Sequence, residues 1–522
     1  MSTIPSFQLE DTSVARFSQL SRVSLKVWLC MAVATVWTVV LYSRQRRPRR
    51  IRGIPIVGLD GGKRSIEQAR KHFISNSEEM MREGYEKTQG GYFYIPSPSG
   101  ERLMIPTRNL EELKNMPDDH VDFTGSFMEM FAGRYTTIGQ KWHLHPGVIK
   151  KSLNSSLTEI MPPVQEEIYD AFNDVLPPCE GADWTSLTMA DRFTEIIARA
   201  SSRMMGGKAL SRNKDWVATS INFTTDTWIA AQRLKRFHPI LRPLVYSWLP
   251  EIANVRKHDA VARCVVKPVV EGRLRDGSRP VDLLQMLWDG AVGEDKSPDF
   301  LAYTALAVSF AAIRTSSSVP THLLYDLCAR PEYIQPLREE IEQMLDEEGS
   351  FTKTGFNKLV NLDSFIKESN RFSPLVFMTF GRVIHRDLTL QDGTIVPAGT
   401  IIGIPSHAIS HDPEFYPSPS TFDGFRFVPD TTASHQQGPP SFVTTNASNL
   451  SWGYGKHACS GRFFASNEIK IIIAYFLLNY DFKFAKDRKD RPKNFSYELQ
   501  NMPDPTVEIM IKRRPGARKL WK

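Results

Sequence analysis

The sequence predicts a mainly α-helical protein with small β-sheets, preceded by a single N-terminal transmembrane helix. Three observations predict it. Helical patterning with few interruptions covers 183–290, 298–327 and 463–478. Strand-like alternation broken by turn residues is confined to 91–105 and 380–404, enough only for small sheets. Residues 27–42, VWLCMAVATVWTVVLY, carry no charge and are followed by Arg44, Arg46, Arg47, Arg49 and Arg50.

A bilayer span takes about 20 apolar residues, with a working range of ~17–25. The segment 27–42 is short but sufficient if Lys26 snorkels. The arginines after it put the C-terminal side in the cytoplasm, and a cleaved signal peptide would have the opposite layout. Residues 1–43 therefore read as tail and anchor, 44–58 as a basic, proline-containing linker, and 59–522 as the globular part. With 41% apolar and 24% charged residues the chain is not of the disordered class. The arginine block accounts for much of the net charge of +7, so no nucleic-acid partner is invoked. Cys30, Cys179, Cys264, Cys328 and Cys459 are scattered, odd in number and form no CxxC pair. That argues against a disulfide framework and against a zinc finger.

Along the globular part, 91–105 reads as a hairpin turning at Ser97–Gly100, and 142–157 as helical after Pro146. Turns at Gly206-Gly207, Pro239 and Gly277 divide 183–290, whose Phe223, Trp228, Phe237, Trp248 and Trp288 read as core, with the lining of an apolar pocket as the alternative for some of them. Residues 298–327 form one long helix, with Ser297 as cap and Pro298 at the first position. Pro320 should kink it late in its course. Its centre, Ala311-Ala312-Ile313-Arg314-Thr315-Ser316, allows a ligand to come close; the same small residues would suit a helix–helix contact. Glu368 and Arg371 share one face of a helix over 362–371. Asp392-Gly393 and Pro397-Ala398-Gly399 mark turns between strands. His407 and His411 have zinc-site spacing, but a loop-like setting without HExxH argues against a metal.

The run Trp452-Gly453-Tyr454-Gly455-Lys456-His457-Ala458-Cys459-Ser460-Gly461-Arg462 presents one cysteine just before an apolar helix. Gly453 and Gly455 permit angles closed to other residues. A helix N-terminus favours a thiolate, and Gly461 leaves room for a flat group. A thiolate so held is what an axial haem ligand requires. The run resembles the haem-binding loop of the cytochrome P-450 family, Phe-x-x-Gly-x-His/Arg-x-Cys-x-Gly. Gly455, His457, Cys459 and Gly461 match, and Trp452 stands in the place of Phe.

The resemblance implies the cytochrome P-450 fold and haem b, with Cys459 as the one metal ligand. It implies that Trp452, Gly453 and Gly461 adjoin the cofactor, and that Arg382, His457, Trp142 and His145 are candidates for contact with its propionates. Residues 310–317 resemble the family's oxygen-activation motif, in which Ala311, Ala312, Thr315 and Ser316 fit. Thr315, with Ser316, inherits the catalytic position. Arg314 occupies the place of the motif's acid and cannot serve as one, because guanidinium stays protonated. The resemblance also implies a buried network of Glu368, Arg371 and a later arginine, matched by Arg426.

The activity so implied is monooxygenation of an apolar small molecule, with electrons from NADPH through a separate cytochrome P-450 reductase and cytochrome b5 as a second candidate partner. The arrangement resembles filamentous-fungal members that tailor terpenoids and other secondary metabolites. It implies single-pass anchorage in the endoplasmic reticulum membrane with the catalytic domain in the cytosol. Two rivals stand beside it. One is a haem-thiolate protein that rearranges or dehydrates its substrate without net oxygen insertion. The other is a non-catalytic, membrane-anchored binding protein.

Overall fold

The computed structural model describes residues 49–62, 64–179, 183–429 and 441–516, with six helical positions between Val27 and Trp37. The expected span over 27–42 otherwise lies outside the described residues. Among those described, no helix is long and apolar enough to cross a membrane.

Ser65 opens helix α1 (Ile66–Lys87) through a reciprocal cap: its hydroxyl accepts from Gln68 N, and the Gln68 side chain accepts from Ser65 N. Strands β1 (Phe93–Ser97) and β2 (Gly100–Met104) form the expected hairpin, with Ser97 opposite Gly100. Tyr94 N donates to Pro55 O and Val57 N to Tyr94 O, so the end of the expected linker runs along the edge of β1. The two-residue β3 (Val121–Asp122) leads into α2 (Phe123–Met130). Residues 142–157 are not one helix. A short turn at His145–Val148 passes into a π-helical turn at Ile149–Leu153, and α3 (Leu157–Val175) starts afterwards.

The stretch 183–290 opens with a strand, β4 (Thr185–Thr188), drawn into extended form by pairing with a distant partner. Helices α4 (Met189–Gly206), α5 (Lys214–Lys235), α6 (Pro250–Asp276) and α7 (Leu283–Gly290) follow, and Gly277 ends α6 in the left-handed conformation. Phe223 is buried and Trp228 and Trp288 pack on the same core, while Phe237 is only partly buried. Trp248, expected in the core, is 85% exposed. It stands in the short-turned segment between α5 and α6, where Leu241 and Leu244 are exposed with it.

Helix α8 (Pro298–Ala329) has 32 residues, a rod of ~48 Å. Ser297 caps it through Phe300 N, and it continues through Pro320 to Ala329. Thr321, next to the proline, donates its hydroxyl to Ser317 O. Helix α8 touches α4, α5 and α6, and two helices still to come, α10 and α11. After α9 (Ile334–Glu348) and α10 (Val360–Phe372) come β5 (Thr379–Ile384), β6 (Leu388–Thr389), β7 (Ile395–Val396) and β8 (Ile401–Ile404). The apolar α11 (Arg462–Asn479) is buried along most of its length. The chain closes with β9 (Tyr480–Phe484), β10 (Phe495–Tyr497), β11 (Gln500–Met502) and β12 (Glu508–Arg513).

The sheets are small, as expected. One has five strands in the order β1-β2-β8-β5-β3, parallel only between β2 and β8. A second has the order β4-β12-β9, and β6-β7 and β10-β11 are two-stranded. The described residues from Arg50 onward form one compact unit, with α8 through its core.

Candidate active site

The loop before α11 is built on two left-handed glycines. Gly453 and Gly455 both have φ of +73°. A Cβ on Gly455 would stand 2.4 Å from the Lys114 carbonyl oxygen, so the loop passes where only glycine fits. Cys459 N donates to Trp452 O at 2.7 Å and closes the turn. The N–H groups of Gly461 and Arg462 are directed at the Cys459 sulfur. Burial pushes this thiol up, opposed by those N–H groups and by the Arg462 guanidinium.

Cys459 is enclosed by the protein yet open on one side, where it faces a cavity of about 240 Å³. Ala311, Thr315, Ser316 and Val319 of α8 line the same cavity, as do Leu375 and Val376. The Thr315 hydroxyl donates to Ala311 O at 2.6 Å, which leaves its oxygen able to accept from a cavity water. Trp452 also lines the cavity, but its indole N–H is committed to Phe442 O at 2.8 Å and not to the sulfur. A Cβ at Gly461 would meet no protein atom within 4 Å.

Arg314 is not part of this cavity. Successive helical residues are ~100° apart, and Arg314 lines a different cavity with Ser317, Ser318, Thr321 and Asn494.

Arg382 is 3% exposed and forms no ion pair among the described residues. Its guanidinium lies over Phe380 at 4.2 Å and Phe123 at 5.0 Å, and burial lowers its pKa to about 10. His457 stacks on the same Phe123 at 5.1 Å, and its Nε2 is 2.8 Å from Asp118 Oδ1. One phenyl ring therefore joins two of the candidate propionate contacts. Neither Phe123 nor Asp118 was singled out by sequence, since neither belongs to a motif.

The rings of Trp142 and His145 meet at a tilt, 4.8 Å apart, and Trp142 meets Phe127 edge-on. Like Arg382 and His457, they do not line the cavity at Cys459. His145 is buried with Nδ1 unpartnered among the described residues, and burial lowers its pKa to about 4.

Glu368, Arg371 and Arg426 do come together. Arg371 donates to both Glu368 oxygens at 2.8 Å, and Arg426 Nε reaches both at 3.2 Å. The remaining donors go to carbonyls: Arg371 to Ser410 and Pro419, Arg426 to Pro417 and Thr421. Glu368 has no exposed surface. A carboxylate buried among two guanidinium groups is tolerable because every partner is satisfied.

His407 and His411 lie on and just after a helical turn, Ser406–Ser410, and not in a loop. His411 Nδ1 meets His407 O, and burial lowers the pKa of both. Among the described residues no three His, Cys, Asp or Glu side chains are grouped to hold a metal ion.

The Cytochrome P-450 family model matches residues 112–509. The cytochrome P-450 monooxygenase olcJ of Penicillium canescens is 35% identical over 84% of each chain. The cytochrome P-450 monooxygenase braC of Annulohypoxylon truncatum is 34% identical, over 92% of this chain and 97% of the relative. The ent-kaurene oxidase of Gibberella intermedia is 33% identical over 88% of each. The chain belongs to the cytochrome P-450 family. It is an oxidoreductase of the monooxygenase class, and the cytochrome P-450 family implies a haem-thiolate cofactor.

The residues present fit that cofactor. A soft sulfur donor with two N–H groups behind it faces the cavity, Gly461 leaves open space, and Arg382 is a buried cation without a carboxylate partner.

Proposed function

We propose that this cytochrome P-450 inserts one oxygen atom from dioxygen into an apolar small molecule, a terpenoid or other secondary metabolite. The carrying observation is the placement of Cys459 and Thr315 on one cavity. The relatives named as fungal monooxygenases and as an ent-kaurene oxidase support the substrate class.

Cys459 would hold haem b through its thiolate, and Arg382 and His457 would bind the propionates. Bound there, thiolate-ligated haem supplies the electron-rich iron that cleaves the O–O bond. The chain's own part is positioning and proton supply. The Gly461 and Arg462 N–H groups hold the sulfur in place, and the Trp452 indole packs beside it without competing for it. Thr315 holds a water at its hydroxyl oxygen. Arg314 lies outside this cavity, so protons reach Thr315 from cavity water and not from the residue before it. Electrons come from NADPH through a separate reductase, with cytochrome b5 as a further donor. The apolar segment at 27–42 anchors the chain in the endoplasmic reticulum membrane with the catalytic domain in the cytosol.

The test is a reduced, carbon-monoxide difference spectrum of membranes carrying the full chain, followed by turnover with NADPH and reductase. A strongly red-shifted Soret band and NADPH-dependent incorporation of labelled dioxygen are expected. Cys459→Ala should remove the band. Turnover without NADPH would instead favour rearrangement or dehydration. Folded protein without haem would favour the binding-protein reading.

A further inference from the structure

Residues 315–321 of α8 carry five hydroxyl side chains, and four of them are spent on the helix itself. Thr315 donates to Ala311 O at 2.6 Å, Ser317 to Arg314 O at 3.3 Å, Ser318 to the same carbonyl at 2.9 Å and Thr321 to Ser317 O at 2.9 Å. Such bonding back to the preceding turn is the usual course for a hydroxyl inside a helix. Ser316 departs from it. Its side chain makes no hydrogen bond among the described residues, and the 5% of its surface that stays exposed is on the cavity of Cys459.

The main chain at Ser316 is released as well. Pro320 has no N–H to give the Ser316 carbonyl four residues before it, and its ring crowds that oxygen out of the helical ladder. A helical carbonyl points toward the turn that follows it, here the turn of Val319 and Pro320. Ser316 and Val319 both line the cavity, so the freed carbonyl lies on the helix face turned to Cys459. No Asp or Glu side chain lines this cavity among the described residues, and Arg314 belongs to the other one. Asn370 of α10 does line it, half-buried, with its amide unpartnered among the described residues. A free hydroxyl, a bare carbonyl and a free amide supply the partners that an ordered file of water needs.

We propose that Ser316 is the proton-relay hydroxyl of this cavity and Pro320 its positioning residue, with the freed Ser316 carbonyl and Asn370 holding the water that refills it. This rests on the monooxygenase reading above and names the route that supplies its protons. Ser316 gives its O–H proton to the water that Thr315 holds and takes one from the water at its own carbonyl. The hydroxyl is restored, and one proton has moved toward Thr315. Water at Asn370 replaces the proton behind it.

The full-length holoenzyme with reductase is given NADPH and no substrate, and two outcomes compete. One NADPH and one proton turn dioxygen into hydrogen peroxide; two NADPH and two protons turn it into two waters. A working relay favours water. Ser316→Ala should raise the peroxide formed per NADPH severalfold, and Ser316→Thr should return it to the wild-type value. Pro320→Ala gives the Ser316 carbonyl its N–H back. It should raise the thermal midpoint, because an interior proline is unfavourable to a helix, and raise the peroxide fraction with it. All three variants should keep the carbon-monoxide band. If Ser316→Ala does not accumulate as holoenzyme, Pro320→Ala decides. A wild type that returns all its NADPH as peroxide, a peroxide fraction unmoved by either exchange to alanine, or a Pro320→Ala protein less stable than the wild type would overturn the relay. The carbon-monoxide spectrum of the wild type separates the two levels: its failure sinks the haem reading, and a normal band with an unmoved peroxide fraction sinks only the relay.

Discussion

Replacing Glu468 by glutamine should stabilise the protein above neutral pH. Glu468 lies on α11 with no exposed surface. Ser201 donates to its Oε1 at 2.9 Å, and Oε2 has no partner among the described residues. Burial raises its pKa from 4.5 to about 8, with Ser201 opposing only in part. Between those values the carboxyl stays neutral in the fold and ionises in the unfolded chain. Its contribution to stability is therefore fully present below pH 4.5 and is lost as pH rises to about 8. At about 1.4 kcal/mol per unit of pKa difference, the loss is roughly 3 kcal/mol at pH 7 and approaches about 5 kcal/mol above pH 8. Glutamine does not titrate and keeps an oxygen for Ser201. Its amide occupies the position where the protonated acid's O–H already lacks a partner. Urea or thermal unfolding of both proteins from pH 5 to pH 9 reads the effect. The two stability curves should lie close at pH 5 and diverge by about 1.4 kcal/mol per pH unit until pH 8. A difference that does not change with pH would refute the reasoning.

Arg371→Met leaves the Glu368 carboxylate buried with one of its two guanidinium partners gone, and should cost about 3–5 kcal/mol; unfolding and holoprotein yield report it, and adding Glu368→Leu should recover part of the loss. Gly455→Ala puts a methyl 2.4 Å from Lys114 O on a backbone with φ of +73°; it should lower haem content and thermal midpoint together, while Gly272→Ala, which meets nothing within 4 Å on α6, should not. Thr315→Ala should raise the NADPH consumed per product formed without altering the carbon-monoxide spectrum; unchanged coupling would remove Thr315 from the relay. Ser297→Ala should cost α8 about 1 kcal/mol, because Phe300 N loses its cap.

The parts of the site that sequence disclosed are those in which covalent spacing does the positioning. Gly453, Gly455 and Cys459 belong to one turn, and Glu368 and Arg371 to one turn of helix, so their relation follows from local geometry. Arg426 was reachable only through the family pattern, because nothing local ties it to residues 58 and 55 positions earlier. Phe123 and Asp118 were not legible at all. Each acquires its setting from a segment hundreds of residues away, and no short pattern marks it. The helical framework read well because α8 and α11 are long and apolar. The errors fell where tertiary contact overrides local preference. Thr185–Thr188 is extended because β12 pairs with it, and the turn that carries Trp248 packs through Tyr246, against Tyr135, which leaves Trp248 outside.

The separation of Arg314 from Thr315 has a consequence for variation along α8. The helix is a shared wall, and its residues divide into two sets by their angle around the axis. Positions 311, 315, 316 and 319 furnish one room, and 314, 317, 318 and 321 furnish the other. A change in one set leaves the lining of its neighbour as it was, even when the two letters are adjacent. The residue at 314 that breaks the family pattern thus belongs to the room without the thiol. Two chains could differ at every position of the second set and still present the same surface to the sulfur.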